Sequence, residues 1–170
     1  CFSFNYFGVS YTHFTSSTNG NIQLGDGTGS TNNPAYSTAF TDVAMPATGV
    51  PNNIVAFAWD DWLISAGEIT WGVTGVAPNR KLVVCFNSSG RGGGVADNYN
   101  GQVVLEETSN IIRIATTNKN VTTNTCTQGI ENQGGTVAYP VTGRNSVASA
   151  SYNHLTLTTN DQLLNSVVAE

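Results

Sequence analysis

Charge is the scarcest property of this sequence. Only 10% of its 170 residues are Asp, Glu, Lys or Arg, where a soluble domain ordinarily carries about 25%. The six Lys and Arg are scattered, and the formal net charge is −5. Nucleic-acid binding requires clustered basic side chains that displace counterions, so it is excluded as a function class. No run of about 18 apolar residues exists, which excludes a membrane-spanning helix. The three cysteines, Cys1, Cys85 and Cys126, form no C-x-x-C pair, so zinc-ribbon and thioredoxin-like chemistry have no basis. Only two histidines, His13 and His154, are present, and no Gly-x-Ser-x-Gly elbow accompanies them, which removes the usual signature of a serine hydrolase. Gly92-Gly93-Gly94 lacks the Lys-Ser/Thr of a phosphate loop.

What is present instead is Asn, Thr, Ser and Gly, interleaved with short apolar runs. These polar residues are weak helix formers. The aromatic and β-branched runs are too regular for a disordered chain. Phe2, Phe4 and Tyr6 alternate with Ser3 and Asn5, the period of a half-buried strand. Residues 11–25 read as a hairpin bent at Asn19-Gly20, a pair suited to a type I′ turn with positive φ at both positions. The run at 53–62 is dense enough for a central strand. Ile69, Trp71 and Val73 alternate in the next, and 80–86, 102–107, 111–116, 125–132, 136–141 and 154–159 continue the series. Roughly ten short strands, with turn signals every 8–12 residues or so, predict an all-β, antiparallel β-sandwich or jelly-roll-like fold with long Gly/Asn/Thr-rich loops. Without an internal repeat or a linker, residues 1–170 read as a single domain. The tail 160–170 fits either a strand or a short helix, mobile or used in assembly. The loops at 25–37, 41–53 and 87–101 are long, and long loops are functional or mobile.

Candidate sites are few. Cys85 and Cys126 fall in or beside strands; a disulfide between them would contribute about 4 kcal/mol, with two buried free thiols as the alternative. Cys1 is then the odd one, free, lipidated, or paired with another chain. Asp60 and Asp61, with Asp26, are candidate Ca²⁺ ligands, although strand neighbours point to opposite faces and cannot share an ion without a bulge. Glu106, Glu107 and Glu131 are the other carboxylates a glycosidase could recruit, but nothing in the spacing sets two of them across a cleft. Trp59 and Trp71 read as core, whereas Trp62, Tyr36 and Tyr99, at strand ends or in loops, are candidates for a ligand surface that stacks on glycans. Asn87 and Asn120 open N-glycosylation sequons.

The order of these motifs resembles a known family. "FNYFGVSYTHFTSSTNGNIQLGDG", "PNNIVAFAWDDW", "GEITWGVTGVAPNRKLVVCFNSS" and "YNGQVVLEETSNIIRI" are similar, in sequence order, to the opening and successive hairpins of nidogen-like (NIDO-type) extracellular domains. "GIENQGGTVAYPVTGRNS" resembles the close of related domains in secreted Bacteroidetes proteins. The resemblance implies a non-catalytic extracellular structural or adhesion module of a bacterial surface protein. Its partners would be neighbouring surface modules, glycans or other copies of itself. Three departures accompany it: no strand precedes Phe2, the strand at Val55–Ala58 lacks proline, and Cys85 and Cys126 are not part of the pattern. An unfilled first strand would leave a sheet edge for a neighbour, which makes a self-assembling filament subunit, joined by edge strands or by Cys1, the second reading. A carbohydrate-binding accessory domain is the third.

Overall fold

The computed structural model describes residues 2–25, 40–64, 67–88, 90–92, 97–120, 126–141, 151–157 and 163–169. Every regular element among them is a strand: β1 Phe4–Tyr6, β2 Val9–Tyr11, β3 His13–Ser17, β4 Asn21–Gly25, β5 Ile54–Trp59, β6 Trp62–Leu63, β7 Glu68–Thr74, β8 Lys81–Asn87, β9 Gly90–Arg91, β10 Asn98–Glu106, β11 Ile111–Asn120, β12 Thr127–Glu131, β13 Ala138–Pro140, β14 Ser151–Leu157 and β15 Leu163–Ala169. The tail thus contributes a strand over 163–169, and β10 begins inside the segment read as a glycine-rich loop. Two antiparallel sheets carry the fold, one of six strands in the order β15-β14-β11-β10-β8-β7 and one of five in the order β13-β12-β5-β4-β3. The chain is an all-β antiparallel sandwich.

Period-2 burial makes the core. Ile22, Leu24, Val55 and Phe57 of the five-stranded sheet meet Val84, Phe86, Val103, Leu105, Ile112 and Ile114 of the six-stranded one. Apolar residues pointing into the same layer from both sheets are removed from water together, which is the dominant stabilising term.

The five-stranded sheet is covered on its other face as well. All six residues of β5 are buried. Segment 41–53 lies across the outer face as a strap, with Met45 packed on Ile54, Ala56 and Trp59. Polar anchors hold it. Gln23 donates to the Asn52 carbonyl at 2.7 Å, Ala47 N–H donates to the Glu131 carboxylate at 2.8 Å, and Thr127 Oγ1 lies 2.9 Å from Asp42 Oδ2. Length in this loop therefore serves packing.

A β-bulge decides which face Trp59 takes. Between Ala56 and Trp59, β5 carries one more residue than β12 opposite it. Both Phe57 and Ala58 donate to one acceptor, the Gly20 carbonyl, at 3.1 Å each. Phe57 and Ala58 consequently both face the sandwich interior, and Trp59 joins Ile54 and Ala56 under the strap.

The same contact corrects the expected turn. Ser17 pairs with Asn21, so the β3–β4 loop has three residues, and of Asn19 and Gly20 only Gly20 has positive φ, at 74°. This is the three-residue hairpin with glycine in the left-handed position. A side chain at Gly20 would meet the Ala58 carbonyl oxygen at 2.1 Å. The turn is buried: Asn19 is 5% exposed and Asn21 0%. Ser17 Oγ accepts from Asn19 N–H at 3.0 Å, and the Asn19 carbonyl accepts from Asp60 N–H at 3.1 Å.

The β1–β2 hairpin plugs one end of the five-stranded sheet. The Tyr6 hydroxyl donates to the Ile54 carbonyl at 2.6 Å and accepts from Glu131 N–H at 3.1 Å, bridging β5 and β12.

Candidate functional site

The two sheets do not close on each other along one side. The strands there, β3 of the five-stranded sheet and β7 of the six-stranded sheet, are both edges. Between them opens an apolar cleft of about 180 Å³. Phe4, Tyr11, Phe14, Leu24, Trp71 and Val73 line it, with Leu82 and Leu105 at its floor; Thr12 and His13 are the polar residues on its wall. Phe14 and Trp71 meet edge-to-face across the opening, ring centroids 5.7 Å apart. Trp71 is nevertheless 61% exposed, and Val73 42%.

Local sequence explains this arrangement. The alternation Ile69, Trp71, Val73 turns these side chains toward the other sheet, as the period requires. Because β7 is the last strand of its sheet, the residues it turns inward reach past the edge of the core. The expectation that Trp71 is core is therefore corrected: its face is right, but its strand lies at the rim.

The expected ligand surface lies elsewhere. Trp62 is 1% exposed and donates Nε1–H to the Ala58 carbonyl at 2.5 Å. Tyr99 is 0% exposed, with its hydroxyl 3.0 Å from Thr116 Oγ1 and its ring 5.8 Å from that of Trp62. Both belong to the core, because β10 begins before Tyr99 and β6 folds Trp62 back onto it. Neither is available to a glycan. Tyr36 lies outside the described residues.

The acidic pair is structural in what it touches. Asp60 is 3% exposed, sits 2.9 Å from Arg91 Nε, and accepts from Asp61 N–H at 2.8 Å. The Asp61 carboxylate lies against Gly92, whose N–H donates to the Asp61 carbonyl at 2.7 Å. No grouping of three metal-ligating side chains occurs among the described residues, and Asp26 lies outside them.

The disulfide expectation is also corrected. Cys85 and Cys126 are both free thiols, Cys85 exposed and Cys126 buried. Val84 and Phe86 face the core, so alternation sends Cys85 to the outer face of the six-stranded sheet. Cys126 is inside the core, and burial pushes its thiol pKa up. Cys1 lies outside the described residues.

The remaining carboxylates have separate tasks. Burial alone would raise Glu106, but hydrogen bonds from Arg113, Lys81 and Ser109 outweigh it and hold its pKa at about 2. Arg80 grips Glu107 through Nε at 2.8 Å, holding it also at about 2. Glu131 is 1% exposed and anchors the strap; burial pushes its pKa up to about 7. None of the cleft-lining residues is acidic. His13 stands on the cleft wall with Nδ1 2.9 Å from Thr12 Oγ1, and His154 lies on β14 opposite Arg113.

These features define the class: an antiparallel β-sandwich with an open apolar mouth between two sheet edges. The family model described as NIDO related matches residues 1–167, and the chain belongs to that family. Membership suggests an extracellular module. No curated protein and no solved structure matches the chain.

Proposed function

We propose that this domain is a non-catalytic extracellular module of a bacterial surface protein, working by contact as a structural or adhesion unit, and that the mouth between β3 and β7 is its contact surface. The observation that carries the reading is Trp71: a large aromatic, 61% exposed, beside an apolar cleft. Interface energy concentrates on such residues, and tryptophan is among the most enriched of them. A lining this poor in polar groups suits the apolar face of a protein segment better than a sugar, whose hydroxyls need several partners. The ion pairs of Asp60, Glu106 and Glu107 and the strap contact of Glu131 leave these carboxylates in structural work, which supports the non-catalytic assignment.

The test is attachment under flow. Beads coated with the domain are passed over surfaces carrying the same domain, other surface modules, or glycans. Retention on a protein surface that drops at least tenfold with Trp71→Ser, while the melting temperature falls by no more than about 2–4 °C, supports the reading. Equal retention by the variant, or none on any surface, overturns it.

A second reading, a subunit of an extracellular filament, is favoured by a different observation. The edge strands β3, β7 and β15 carry no Lys, Arg or Pro, the residues that usually guard an edge against pairing.

A further inference from the structure

We infer that the six-stranded sheet continues from one copy of this chain into the next, β15 of one copy pairing antiparallel with β7 of its neighbour; this rests on the filament reading.

Strand parity favours such a joint. Every neighbouring pair in the sheet is antiparallel: β7 with β8, β8 with β10, β10 with β11, β11 with β14, β14 with β15. Strand direction therefore alternates across six strands, and the two edges run in opposite senses. A second copy carried along the sheet without inversion brings its β7 beside β15 in the antiparallel sense. A sheet with an odd number of strands would offer only a parallel joint. The five-stranded sheet has that odd number, and its β13 edge has three residues and ends in Pro140.

The two edges also match. Both β7 and β15 are seven residues long. Their only charge is Glu68, at the end of β7, and neither contains Lys, Arg or Pro. Lys, Arg, Pro and shortness are among the devices that guard natural edges, and these two strands use none of them. Centre-matched pairing would place Leu164 opposite Val73 at the mouth and Val168 opposite Ile69. Trp71 and Val73 wait there, the most exposed apolar residues of β7. The occupant is thus a second copy, and one joint would pair the backbone edge and cover the mouth.

Such a joint is heterologous and does not close on itself, so it propagates as a fibre. Six strands at about 4.8 Å give a rise of roughly 29 Å per copy, with a turn of roughly 120–150° from strand twist.

The experiment uses the full chain with Cys1→Ser and Cys85→Ser, examined by sedimentation and negative-stain electron microscopy over rising concentration. Fibres with the expected rise support the joint. Gly72 lies mid-strand, and a side chain there meets nothing within 4 Å, so Gly72→Lys places a charge on the edge without disturbing the fold. It is expected to cut the sedimenting fraction at least tenfold at unchanged melting temperature. Centre-matched pairing sets Gly72 beside Asn165 of the next copy. Gly72→Cys and Asn165→Cys proteins, treated with a short bifunctional thiol reagent, should therefore cross-link to each other when mixed. Cross-linking of Gly72→Cys with itself would mean a two-fold β7–β7 dimer and overturns the proposal. Fibres without the mixed cross-link, or unaffected by Gly72→Lys, keep the filament reading and overturn this joint. Single particles at every concentration overturn both and leave the adhesion reading to the flow assay.

Discussion

Phe14 and Trp71 bridge the two sheets at their open side, one ring edge against the face of the other at 5.7 Å. An aromatic pair of this kind is worth about 0.5–1.5 kcal/mol, and here one partner is largely in water. Trp71→Ala should consequently cost only about 1 kcal/mol in stability. The pair should be more visible in fluorescence. Of the three tryptophans, Trp59 and Trp62 are buried, so acrylamide should quench a fraction of emission that Trp71→Phe removes. Quenching unchanged in that variant would place Trp71 in the interior.

Trp59 lies at the opposite extreme, 2% exposed beneath the strap with Met45. Trp59→Ala empties a large volume between two layers and should cost about 3–5 kcal/mol. Urea unfolding measures it. A cost below about 1 kcal/mol, within the range of ordinary surface substitutions, would mean that the strap does not cover that face in solution.

The two described thiols should differ in reactivity. In the native protein a maleimide should label Cys85, whereas Cys126 should label only in denaturant. Reductant should leave the unfolding curve where it is. A reductant-dependent midpoint would restore the disulfide that the positions of both cysteines in or beside strands first suggested.

Glu131 gives the stability a pH dependence of unusual sign. Its folded pKa, about 7, stands above the ordinary 4.5 because burial disfavours the charge, against the opposing hydrogen bond from Ala47. Between those values the folded chain binds more protons than the unfolded one. The contribution is therefore fully present below 4.5 and is lost as pH rises from there through about 7, amounting to something on the order of 3 kcal/mol. Glu106, held at about 2, acts oppositely: its contribution is present above 4.5 and fades as pH falls toward 2. Glu131→Gln should remove the loss between pH 4.5 and 7 and leave the acid limb intact. Urea midpoints at pH 3, 4.5, 6 and 8 separate the two groups, and parallel curves for wild type and variant would contradict the assignment.

Much of this fold was legible in the chain, because period 2 is a local signal. The alternations in β1 and β7 turn the faces they promise, and the motif order carried the family. What could not be read is what depends on neighbours. Strand order alone makes β7 an edge, so the inward-turned Trp71 became a surface residue. A single extra residue at Phe57-Ala58 moved Trp59 to the far face of its sheet; two N–H groups converging on the Gly20 carbonyl cause it, and Gly20 is more than thirty residues away in sequence. Trp62 and Tyr99 lie just beyond or at the start of runs that look like strand ends, yet they pack on each other in the core, their rings tilted by 34°. Asn19-Gly20 reads as a two-residue type I′ turn, but the deep seat of Gly20 against β5 goes with a buried three-residue one.

The Tyr6 hydroxyl, held between Ile54 and Glu131, has a consequence for the order in which the molecule is made. It ties the first hairpin to a strand 125 residues later. During synthesis that hydroxyl waits, and β5, apolar on both faces, waits with it, because β12 is its partner on one side. Contacts so distant along the chain are slow to form and leave apolar strands uncovered meanwhile. A chain halted before residue 131 would be a sticky intermediate, so this domain completes its fold only after most of its length has emerged.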